Sequence, residues 1–156
     1  MNPPLVRVRL VRPSSSAEDR LPRFPRGDPD AVHEGLREQE FGAWAGLPMA
    51  EVAGEDPAGL RQWMADTAYA PPGGGESVEA LVARVGVHLG ALAPGTHRAV
   101  AGQGVVRAAV VWALELPAAA FWRLDVRPGS VTMLTGRSGR WNLLVGQAEN
   151  PDRLPE

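Results

Sequence analysis

The chain has 156 residues, 44% of them hydrophobic and 22% charged, with a formal net charge of −2; that length fits one domain with a true core, and the small charge argues against a nucleic-acid arm or a polybasic membrane anchor. Cysteine is absent, which excludes thiol nucleophiles, disulfides and thiolate metal sites, and all 16 cationic side chains are arginine, which excludes Schiff-base and P-loop lysines. No apolar run approaches the roughly 20 residues that span a bilayer, and the opening Met1-Asn2-Pro3-Pro4 lacks the pattern of a signal peptide, so a cytoplasmic chain without a membrane or nucleic-acid partner is expected.

In chain order, Leu5 to Arg12 reads as a strand, with Val6, Val8 and Leu10 on one face and Arg7 and Arg9 on the other. Residues 13–35, rich in Pro, Ser, Arg and Asp, show no clean period and read as a loop, unusually long for a compact domain. Asp56-Pro57 supplies a cap and a first-turn proline for a short helix to about Ala65. After the breaker Pro71-Pro72-Gly73-Gly74-Gly75, the residues Val78, Leu81, Val82, Val85, Leu89 and Leu92 recur at helical spacing. Pro94-Gly95 ends that helix, Arg98 to Ala101 starts a short buried strand, and Gly104 to Leu116 forms an apolar helix. Pro117 opens a further helical piece. Ser130 to Thr135 and Arg140 to Val145 flank Gly136-Arg137-Ser138-Gly139, a hairpin signature. The expectation is a single α/β domain over residues 1–146 followed by a polar tail, 147–156.

Three segments in fixed order resemble the histidine phosphatase superfamily, the phosphoglycerate-mutase-like fold. They are Leu36-Arg37-Glu38-Gln39-Glu40-Phe41-Gly42-Ala43-Trp44-Ala45-Gly46; Gly73-Gly74-Gly75-Glu76-Ser77 with Arg84 in the helix behind it; and Val100-Ala101-Gly102-Gln103-Gly104-Val105-Val106-Arg107. Arg127 to Thr132 and Trp141-Asn142-Leu143 are similar to the family's closing hairpin. The resemblance implies a three-layer sandwich around a mostly parallel sheet. Between Arg12 and Arg37 the chain is shorter than the family pattern, by what normally forms a helix and a strand.

The departures fall on the chemistry. The family's nucleophilic histidine corresponds to Pro13 and its second histidine to Gly102. The first imidazole attacks phosphorus and the second donates to the phosphoryl oxygens, and neither proline nor glycine does either. Arg12, Ser16, Arg37 and Glu76 match family pocket positions, Glu76 that of the general acid. Arginine forks suit phosphate or carboxylate, and Gly102-Gln103-Gly104 leads into a helix whose free N–H groups face the same spot. The resemblance thus implies a degenerate member that binds an anionic small molecule, as a binding or regulatory protein or a repurposed enzyme. A structural or interaction module with an inert pocket is the alternative, and a residual phosphatase using another nucleophile is a second.

Plainer readings stand beside these. Arg12 and Arg37 can pair with Glu76 or Glu38 in a buried network, and a glutamate at a helix start can serve as a cap alone. Ser14, Ser15 and Ser16 follow a strand, where serines make turns. His88 lies off the apolar stripe and reads as surface, His97 sits in a turn, and only His33 is placed to swing toward the pocket. The tryptophans at 44, 63, 112, 122 and 141 read as packing. No metal constellation and no cofactor motif is visible. The arginine-bearing face of the first strand, left bare by the shortened segment, leads to an expected homodimer.

Overall fold

The computed structural model describes residues 4–14, 23–24 and 33–146. Strand β1 (Val6–Val11) alternates as expected: Val8 and Leu10 are buried while Arg7 and Arg9 are exposed. Helix α1 (Met49–Glu55) has no counterpart in the sequence reading, because its Ala and Gly residues hide any apolar period and only Val52 is buried. Helix α2 (Pro57–Ala65) begins where Asp56-Pro57 places it, and the Gly59 N–H donates to Asp56 Oδ1 at 3.0 Å. Helix α3 (Val78–Gly90) is capped by Ser77, whose hydroxyl accepts from the Ala80 N–H at 3.1 Å. It buries Val78, Leu81, Val85 and Leu89, each worth roughly 1.5–3 kcal/mol as an upper estimate.

Strand β2 (Gly95–Val100) pairs parallel with β1, and helix α4 (Gln103–Ala113) follows. The β-branched Val105, Val106, Val110 and Val111 are modest helix formers, but α4 is apolar nearly all round because it is wedged between the sheet, α3 and the 3-10 turn Ala118–Arg123. Strands β3 (Val131–Arg137) and β4 (Arg140–Leu144) form the expected hairpin, with Ser138 and Gly139 both at positive φ.

The strand order is β2-β1-β3-β4, with one parallel and two antiparallel pairings. The sheet is therefore mixed rather than mostly parallel: only the β1–α3–β2 crossover joins parallel neighbours, and the hairpin supplies the rest. Strand β2 also corrects the expectation of a buried strand. It lies at the sheet edge, with Ala99 buried but Val100 58% exposed. Among the described residues, α4 packs on one face of the sheet with α3 against it, and Arg7, Arg9, Arg98 and Leu144 on the other face are exposed. The polar tail 147–156 lies outside the described residues.

Two hydrophobic clusters result. One joins the covered sheet face to α3 and α4; the other holds Phe24, Phe41, Trp44, Val52 and Trp63, and Trp122 packs against both. The tryptophans are packing residues, Trp63 meeting Trp122 edge-on at 4.6 Å. No helix among the described residues is long and apolar enough to cross a membrane.

Candidate functional site

Because β1 and β2 are parallel, their carboxyl ends share one edge, where the Ala101 N–H donates to the Val11 carbonyl at 3.0 Å. Arg12 and Gly102 thus leave the sheet side by side. Arg12 continues the ladder beyond β1: its N–H donates to the Ser130 carbonyl at 3.0 Å and its carbonyl accepts from Gly129 at 2.9 Å. Residues 8 and 10 face the helices, so Arg12 does too, and its guanidinium donates to the Val126 carbonyl. Gly102 is the N-cap residue of α4 and offers no side-chain cap. The first-turn N–H groups of Gln103 and Gly104 have no acceptor within the helix.

The third wall is the segment 35–40. Arg84 on α3 ties it down, donating from Nη1 to the Gly35 carbonyl at 3.1 Å and from Nη2 to the Glu38 carbonyl at 3.3 Å. The same guanidinium grips Glu76 with both arms, Nε to Oε2 at 2.8 Å and Nη2 to Oε1 at 2.9 Å. The Glu40 N–H donates to Glu76 Oε1 at 3.3 Å, the Glu76 N–H donates to the Glu40 carbonyl at 2.7 Å, and buried Gln39 donates from Nε2 to the Glu76 carbonyl at 2.8 Å. The Leu36-to-Gly46 and Gly73-to-Ser77 motifs are therefore one hydrogen-bonded unit. Gly42 belongs to it as well: at φ +57° it lies so close to the Pro72 carbonyl that a Cβ would collide.

Glu38 is the residue whose role the sequence reading missed. Its carboxylate occupies the space that any side chain at position 102 would enter. Oε1 is buried without a hydrogen-bond partner among the described residues. Burial pushes the Glu38 carboxyl above the usual carboxylate range, against the opposing pull of Arg84, Arg12 and the Gly102 N–H. The available signal was local. Arg37 is extended, so Arg37 and Glu38 point to opposite sides, and only one of them can face the strand ends.

Arg107 on α4 completes the electrostatics. It stacks over Phe121 at 5.5 Å, donates to the Leu124 carbonyl, and reaches Asp125 at 3.8 Å, a partner fully open to water. Burial lowers its pKa, Asp125 opposes that shift, and neighbouring Arg12 adds to it. Arg12 thus acts on two groups at once, as a like charge on Arg107 and as an opposite charge on the buried Glu38 carboxyl.

The strand ends therefore bring together Arg12, Gly102, Gln103 and Gly104, with the side chain of Gln39 beside Gly104. Glu76 is committed to Arg84, which is the geometry of a structural ion pair and leaves no oxygen free as a proton donor toward the strand ends. Arg37 stands apart: it is half-buried, donates only to its own turn at the Glu34 carbonyl (3.1 Å), and forms no ion pair among the described residues. Ser16 lies outside the described residues. Pro13 is exposed beside Gly129.

The histidines cluster elsewhere. His33 meets His88 edge-on at 5.6 Å, and His97 hydrogen-bonds the Ala93 carbonyl at 2.7 Å. His88 is half-buried with Nε2 sealed off, not on the surface, because Gly35 lies directly against its ring. No group of three or more His, Asp or Glu residues that could hold a metal occurs among the described residues.

Comparison with known proteins agrees with this geometry. The sequence pattern of the histidine phosphatase superfamily (branch 1) matches residues 22–148. Over 54 residues the chain is 48% identical to the bifunctional protein Rv2228c of Mycobacterium tuberculosis, and the match spans 35% of this chain but only 15% of that protein. In three dimensions the chain is similar to mycobacterial glucosyl-3-phosphoglycerate phosphatase, with a TM-score of 0.70 and 19% identity over 89% of this chain and 97% of that one. It is likewise similar to the alpha-ribazole phosphatase of Shigella flexneri, with a TM-score of 0.71 and 18% identity over 89% of this chain and 95% of that one. At these identities the likeness is one of fold.

Proposed function

The chain belongs to the histidine phosphatase superfamily, and from that premise we propose that it is a member without phosphohistidine catalysis that holds an anionic small molecule, bearing phosphate or carboxylate, at the strand ends. The observation that carries this reading is the pairing of Pro13 with a Gly102 whose side-chain space is filled by Glu38, while the histidines at 33, 88 and 97 lie in a separate cluster. Transfer through nitrogen needs an imidazole lone pair aimed at phosphorus, and neither position supplies one. The cationic half of such a site remains in Arg12, with Arg107 as a neighbouring like charge, and in the first-turn N–H groups of α4. Glu38, whose pKa burial raises, is a carboxyl at the strand ends suited to donating a proton to a bound oxyanion.

Thermal unfolding in rising inorganic phosphate, and separately in malonate, tests this. Occupancy at a hundred times Kd adds about 2.7 kcal/mol of stability; Arg12→Ala removes that gain, and Arg37→Ala, at a residue turned away from the strand ends, leaves it in place. Turnover of p-nitrophenyl phosphate that disappears in His33→Ala would overturn the proposal in favour of another nucleophile. One observation favours a second reading, an interaction module with an inert pocket: the Glu38 carboxylate already stands beside the Gly102 N–H and Arg12 as an internal anion. On that reading neither anion moves the melting temperature.

A further inference from the structure

The open face of the sheet has a composition that a solvated face does not require. Register places Arg98, Arg9, Met133 and Leu144 in one row across all four strands, with Arg9 directly beside Arg98. Arg7 lies two residues along from Arg9 on the same face, and Arg137 pairs directly with Arg140. All five arginines are exposed, and none of the four strands contains an acidic residue. Like charges set side by side on one sheet face destabilise it. Beside this ridge run apolar side chains: Val100 pairs with Val11 and Val11 with Val131, and Val100 and Leu144 are 58% and 57% exposed.

We infer that this face is a docking surface for an acidic protein segment in which carboxylates alternate with apolar residues. Charge selects the occupant. Carboxylates laid along Arg7, Arg9 and Arg98 would cancel the repulsion, and apolar neighbours would cover Val100 and Leu144. A second copy placed face to face would bring two arginine patches together with no carboxylate between them, since a two-fold contact apposes the same patch of both copies and none of these strands is acidic. A nucleic acid finds no aromatic side chain here on which to stack bases. Size points the same way. Four strands of about six residues make a plane of roughly 20 by 19 Å, near 400 Å², about half of what each partner contributes to a standard protein interface. That suits a peptide-length segment.

Fluorescence anisotropy with a labelled twelve-residue peptide of alternating Glu and Leu tests the inference on the full chain. Binding is expected, weakening with salt, and Arg7→Glu/Arg9→Glu/Arg98→Glu should reduce it by about tenfold or more, the equivalent of roughly 1.4 kcal/mol. Val100→Ser/Leu144→Ser, which leaves the charges in place, should weaken it several-fold. The inference is overturned by no measurable binding, or by affinity unchanged in a reversed variant that keeps its native circular dichroism. Tighter binding of a single-stranded oligonucleotide overturns it as well. So does self-association in sedimentation velocity that the charge reversal abolishes.

Discussion

Replacing Arg84 by methionine would remove from one point in the fold the side-chain hydrogen bonds that tie segment 35–40 to α3. The two side chains of the Arg84–Glu76 pair are 15% and 13% exposed, so most of the interaction is shielded from water. The substitution keeps the aliphatic stem. It deletes two charge-assisted bonds to Glu76 and two bonds to the carbonyls of Gly35 and Glu38. A buried carboxylate left without its partner costs roughly 3–5 kcal/mol. For a chain of this size that lowers the melting temperature by about 6–20 °C, at roughly 2–4 °C per kcal/mol. Urea and thermal unfolding followed by tryptophan fluorescence report it directly, since Trp44 is buried in the same hydrogen-bonded unit. A Glu76→Gln/Arg84→Met double variant separates the pair from the rest. The two losses should fall short of additivity by about 1–3 kcal/mol, because the second substitution removes the charge the first one strands. A loss below about 1 kcal/mol for Arg84→Met, or strict additivity, would refute a structural ion pair. Glu76 would then return as a candidate proton donor.

Glu38→Gln should stabilise the protein at pH 7. The folded-state pKa lies above the ordinary value of 4.5, so the contribution of Glu38 is fully present below 4.5 and is lost as pH rises through the folded value. Urea midpoints from pH 4 to 8 should show the advantage of the glutamine variant shrinking as pH falls. Gly102→Ala should cost about 1–3 kcal/mol because its Cβ enters the Glu38 carboxylate, and adding Glu38→Ala should cost less than the sum of the single losses. His88 is shifted the other way, downward by burial and then by His33 and His97. The unfolded chain therefore takes up this proton first, and stability falls as pH drops below the ordinary histidine value of 6.5. His88→Gln should flatten the melting temperature between pH 7 and 5 relative to the parent chain, and an unchanged slope would remove His88 as its source.

Where side-chain pattern reports local backbone directly, the sequence by itself determined the outcome. Alternation in β1, the Asp56-Pro57 start of α2, the Pro71-to-Gly75 break before α3, and the Gly136-to-Gly139 turn all act within one turn or one pleat, so neighbours along the chain suffice to define them. The proline at position 13 and the glycine at position 102 were equally legible, since they are a matter of identity. What only the tertiary structure decided depends on partners far apart in the chain. Arg84 lies 46 residues from the Glu38 carbonyl it holds. Nothing in either local segment says that Glu76 spends its carboxylate on that arginine, or that Glu38 fills the hollow before Gly102. The mixed sheet, too, followed from which strand the hairpin chose to join. β3 lies beside β1 because Val8, Leu10 and Leu134 bury together against the helices. That choice, set by shared burial rather than by any local propensity, left one face of arginines without a cover among the described residues.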